Sequence, residues 1–126
     1  MSLRAPLGRV LGLGSAKDGT GHFWGQRVSG IALALLGPWF VISALTLQSL
    51  QLHIVLDFIA TPINTVLMLL FCLTAAYHSH LGVQVVVEDY VHSHGLKLVA
   101  LILSKFAHVF VAAISIYAVM RIGFGA

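Results

Sequence analysis

Four ionisable side chains, His78, His80, Lys105 and His108, stand inside long apolar stretches of this 126-residue chain, and Arg27 stands at the mouth of another. An ionisable group within an apolar span is costly and marks a site or pathway by default. His78 carries the most specific chemistry. Gly82 follows it one turn later on the same helical face, where a missing side chain lets a flat ligand or another helix come close. Asp89 follows after eleven residues, close to three full turns, and shares that face. An imidazole facing a helix-bundle interior beside a glycine suits an axial ligand to heme iron. Such a ligand needs its second ring nitrogen hydrogen-bonded, and Thr74, one turn earlier, offers a carbonyl and a hydroxyl. The same pattern also fits a histidine that bonds to a neighbouring helix. Spacing leaves both readings open.

His80 is rotated roughly 200° from His78 and cannot share its face, so it turns toward lipid, another subunit or the far side of the bundle. His108, in the next apolar stretch, is a candidate second ligand, which would make the chain a self-contained b-type cytochrome. Lys105 and the histidines could instead line a proton path in a small membrane carrier or assembly protein. His22, His92 and His94 fall on the inner side as solvated or docking residues, and His53 sits in the opposite loop. The single cysteine, Cys72, excludes an internal disulfide and any CxxC metal site, and it reads as a small apolar filler.

A second cluster is Glu88-Asp89-Tyr90 at the charged end of the His78 segment. Topology predicts that Tyr90, Asp89, Arg27 and Trp24 share one interfacial slab. Tyrosine is a common interface anchor. A phenol, a carboxylate and a guanidinium together also offer donors and proton-exchange groups at the depth where a lipid-soluble quinone presents its headgroup.

The elements that must hold these residues follow from composition. The chain is 59% apolar and 9% charged, against roughly 45–50% and about 25% in a typical soluble domain. Four acids and seven bases cannot cover the surface of a compact soluble protein of this size. A soluble globular domain, a disordered chain and a nucleic-acid binder are excluded. Three stretches, 28–50, 58–87 and 98–120, hold no Asp, Glu, Lys or Arg except Lys105. Each meets the length of about 20 residues needed to cross hydrocarbon as a helix. Blocks such as Val66-Leu67-Met68-Leu69-Leu70-Phe71 lack the alternation of a membrane barrel, so the spans are helical. The fold predicted is all-α, a three-span transmembrane domain over 28–126 behind an N-terminal arm, 1–27, on the inner membrane face. Pro38 and Pro62 fall early in their spans, where a kink or first-turn position is tolerated. Residues 1–27 lack the continuous apolar core of a signal peptide. Gly12 to Lys17 lacks the preceding strand and the lysine spacing of a phosphate loop. Arg4, Arg9, Lys17, Arg27 and Lys97 fall on one side of the membrane and only Arg121 on the other, which predicts an inside N-terminus and an outside C-terminus.

The run His78-Ser79-His80-Leu81-Gly82, continuing through Val83-Gln84-Val85-Val86-Val87 to Glu88-Asp89-Tyr90, resembles the pattern H-x3-G-x6-D-Y. That pattern belongs to the smaller hydrophobic anchor subunits of succinate dehydrogenase, the succinate–ubiquinone oxidoreductase (complex II) of respiratory membranes. The stretch Gly14-Ser15-Ala16-Lys17-Asp18-Gly19, followed by Trp24, Gln26 and Arg27, is similar to the N-terminal region of the bacterial members. The resemblance spans essentially the whole chain. It implies a non-catalytic membrane anchor in a four-subunit enzyme that joins the tricarboxylic acid cycle to electron transport. A flavoprotein and an iron–sulfur subunit oxidise succinate. This anchor and a second, cytochrome b-type anchor hold heme b between them and form the ubiquinone site in the bacterial inner membrane, N-terminus cytoplasmic and C-terminus periplasmic. On the same resemblance, His78 is this subunit's axial ligand to the heme iron. Tyr90 bonds a ubiquinone carbonyl with Asp89 beside it. Arg27 stands near the quinone and the heme propionates, and Trp24 belongs to the quinone surroundings.

Overall fold

A computed structural model describes residues 15–125, with side chains from Thr20 onward. Of the arm, residues 1–14 and the side chains of 15–19 lie outside the described residues, and with them Arg4, Arg9 and Lys17. Four helices follow in order: α1 (Ser15–Thr46), α2 (Leu52–Ala60), α3 (Pro62–Tyr90) and α4 (His94–Gly123), with no strand among the described residues. Three of them, α1 over Thr20–Thr46, α3 and α4, are long and apolar enough to cross a membrane. The fold is all-α with three spans, as the apolar runs predict.

Two boundaries differ from expectation. The first helix starts at Ser15, so Arg27 lies three turns inside it rather than at its mouth. The second span starts at Pro62, and residues 52–60 form a separate short helix. Proline disfavours the helical conformation in the residue before it. Thr61 is accordingly extended, at φ −63° and ψ 126°, and Pro62 opens α3 in its first turn, where a missing N–H is harmless. α2 packs on α3 and α4, with His53 and Asp57 exposed on its polar side. Pro38 lies within α1, which continues past it.

α3 is the central helix. α1 and α4 both pack against it and make no close backbone approach to each other. Glycines bring the flanking helices in. A Cβ on Gly25 of α1 would stand 2.7 Å from the Tyr77 hydroxyl of α3, and a side chain on Gly123 of α4 would collide with Thr65. The result is a three-helix layer with two broad faces. At 100° per residue, His78, Gly82, Ala75 and Ser79 turn to one face, and Leu73, Tyr77, His80 and Gln84 turn to the other, the two sets roughly 180° apart. Only Met68, Leu81 and Val119 are buried apolar residues among those described, so both faces are left for lipid or other chains to cover.

Candidate functional site: the His78 face

Ser29 of α1 sits opposite His78 of α3. Ser29 is 5% exposed, and its Oγ lies 2.7 Å from the Gly25 carbonyl oxygen and 2.9 Å from His78 Nδ1. A serine hydroxyl has one proton to give. It goes back to the Gly25 carbonyl one turn earlier, so Oγ must accept from Nδ1–H. In the neutral ring that arrangement puts the proton on Nδ1 and the lone pair on Nε2. Nε2 has no hydrogen-bond partner among the described residues. A Cβ on Gly30, one residue beyond Ser29, would stand 3.3 Å from His78 Cε1, so glycine there clears the ring's edge.

His78 opens into a cavity of about 600 Å³ shared with Phe23, Gln26, Arg27, Gly30 and Ala34. The Arg27 guanidinium carbon lies 5.2 Å from the centre of the Phe23 ring, a cation–π contact that holds the charge at the cavity's edge. An imidazole with an unpartnered Nε2, a clear approach and a guanidinium within the same cavity is a donor set that fits an iron porphyrin with acidic side groups.

The expected second-nitrogen partner, Thr74, does not fill that role. It turns instead to a separate cavity on the opposite face with Trp24, Gly25, Val28 and Tyr77. Ser29, absent from the sequence-based candidates, takes its place. The single interfacial slab is also corrected. The approach of Tyr77 and Leu81 to Gly25 and of Gln26 to Gly82, and the Ser29–His78 bond, mark the α1–α3 register. They put Arg27 level with residue 80, about ten residues or ~15 Å from Tyr90 along the axis. Arg27 therefore lies near His78's depth, and Trp24 lies about one turn nearer Tyr90 on the opposite face. Asp89 and Tyr90 end α3 in exposed positions, Tyr90 at 77%. Twelve residues of unbroken helix separate Tyr90 from His78, about 18 Å.

His80 turns away from His78, as the helical rotation requires, and faces α4, its ring 5.5 Å from that of His108. His108 has both nitrogens engaged: Nδ1 donates to the Ser104 carbonyl at 2.7 Å, and Nε2 accepts from the Ser79 hydroxyl at 3.1 Å. It lines a different cavity from His78, with Cys72, Ala75, Ala76 and Ser79. The two histidines do not converge on one iron, and no group of three or more metal-ligating side chains occurs among the described residues.

Comparison with known proteins decides the family. The family described as succinate dehydrogenase/fumarate reductase transmembrane subunit matches residues 1–119. The chain belongs to that family. Its curated relatives include the succinate dehydrogenase hydrophobic membrane anchor subunits of Rickettsia conorii, 36% identical over 75% of each chain, and of Paracoccus denitrificans, 33% identical over 91% of this chain and 88% of the other. That of Rickettsia felis is 39% identical over 65% of this chain and 69% of the other. As a transmembrane-subunit family member with three long apolar helices, the protein is an integral membrane protein.

Proposed function

We propose that this family member is a membrane anchor subunit of succinate dehydrogenase whose His78 would help hold a heme b and which contributes to a ubiquinone site. The observation that carries the reading is the hydrogen bond between Ser29 Oγ and His78 Nδ1, which leaves Nε2 unpartnered in a cavity holding Arg27. When bound, the heme supplies one-electron exchange at its iron. His78 holds it and Ser29 orients the imidazole. Arg27 offsets acidic side groups, and Gly30, Ala34 and Ala75 on the same face let a flat ring or a second anchor subunit approach. A second ligand would come from that partner anchor, since His108 is engaged elsewhere.

Tyr90 and Asp89 serve the quinone headgroup at the inner end of α3, with a flavoprotein and an iron–sulfur subunit docked on the same side. The exposed phenol donates to a quinone carbonyl, and the bond strengthens as negative charge builds on that oxygen during reduction. Arg27, given its depth, belongs to the heme rather than to the Tyr90 headgroup, and Trp24, on the opposite face between the two depths, is the weaker candidate for the quinone surroundings. The inside N-terminus rests on the distribution of Lys and Arg. Purification of the native membrane complex tests the assignment. The expected preparation contains four subunits and a low-spin b-type spectrum. A well-behaved heme-loaded monomer of this chain alone would overturn it.

A further inference from the structure

Lys105 is the one cation within the apolar part of a described span that the heme reading leaves unused. It stands eleven residues into α4, exposed, with no hydrogen bond or ion pair among the described residues. An unpaired ammonium at membrane depth is costly and marks a site by default. It lines a cavity of about 240 Å³ with His80, Gln84, Leu101 and Ile102. The described carboxylates do not neutralise it. Asp57 is at the other end of the molecule, Glu88 accepts a 2.8 Å bond from Gln84, and Asp89 ends α3.

Two features narrow the counter-ion. The Lys105 cavity opens on the face of the layer opposite His78 and Arg27, so it looks away from the surface that a heme and a second anchor would cover. Leu101 and Ile102, which share the cavity with Lys105, lie toward the N-terminal end of α4, the end where Lys97 donates to the Glu88 carbonyl at 2.7 Å and toward which helical side chains tilt. That end is the base-rich side of the membrane. A basic pocket between helices near that side, with an amide beside the ammonium and apolar walls from Leu101 and Ile102, matches a lipid headgroup and its acyl chains. We infer that Lys105, with Gln84 and His80, binds the phosphate of an anionic phospholipid in the groove between α3 and α4.

The site is independent of heme ligation, so the two readings fail separately. The intact complex is exchanged into bilayer discs of phosphatidylcholine carrying a titrated fraction of phosphatidylglycerol, and retained lipid is counted by native mass spectrometry. Wild type is expected to retain one more phosphatidylglycerol than Lys105→Gln, whose affinity falls about fivefold, while Lys105→Arg retains it. All three keep the heme spectrum, which shows that the variants assemble. Equal retention by wild type and Lys105→Gln overturns the inference. So does displacement of the bound lipid by millimolar inorganic phosphate, which would mark a free-anion site. A structure of the complex in which a partner subunit's carboxylate pairs with Lys105 overturns it as well.

Discussion

The Oγ of Ser29 lies 2.9 Å from Nδ1 of His78, across the contact between the first and third helices. The same hydroxyl lies 2.7 Å from the Gly25 carbonyl oxygen, and its contact with Nδ1 leaves Nε2 as the open ring nitrogen of His78. It joins a local feature of α1, a serine bonding back one turn, to the chemistry of α3.

Removing the hydroxyl should therefore loosen the ligand without removing it. Ser29→Ala leaves Nδ1–H without its acceptor, and outer-shell losses of this kind typically weaken metal binding by about 10–100-fold. The expected result is a complex that still binds heme with a low-spin spectrum but loses it far faster to an apo-globin scavenger. Ser29→Thr, which keeps the hydroxyl, should stay near wild type. A heme off-rate unchanged in Ser29→Ala would show that the bond does not orient His78.

Gly30 offers a test with the opposite intrinsic sign. Replacing a mid-helix glycine by alanine ordinarily stabilises a helix by about 1 kcal/mol. Here the new Cβ meets His78 Cε1 at 3.3 Å, so the ring must shift by a few tenths of an ångström, and a valine must displace it further. Gly30→Val should disturb the heme spectrum while circular dichroism stays helical, with Gly30→Ala in between. An unperturbed spectrum in both would place the ring elsewhere.

Tyr90 lies about 18 Å along the helix from His78, so its role separates from ligation. Tyr90→Phe should leave the heme spectrum and succinate oxidation with soluble acceptors near wild type. Ubiquinone reduction should fall tenfold or more, about 1.4 kcal/mol per tenfold. A wild-type ubiquinone rate would reduce Tyr90 to an interfacial anchor.

The spans and the separation of His78 from His80 were legible in the sequence because both depend on short-range facts, apolar run length and helical rotation. What was hidden depends on where one helix lies along another. Ser29 is 49 residues from His78, and only the α1–α3 register brings them together. The depth of Arg27 was misjudged because Gly19, Gly21 and Gly25 dilute the helical signal ahead of it, although α1 begins at Ser15. The short helix α2 was absorbed into a loop and a span, since Asp57 looked like a boundary while the actual break is the Thr61-Pro62 step.

The measurement that bears most directly on the central claim is the heme spectrum of the assembled complex carrying His78→Ala, beside one carrying His80→Ala. The free Nε2 and its cavity predict that His78→Ala shifts or abolishes the low-spin b-type bands. His80, turned to His108, should be dispensable for them. Succinate oxidation with soluble acceptors should persist in both. Low-spin bands intact in His78→Ala and lost in His80→Ala would contradict the account.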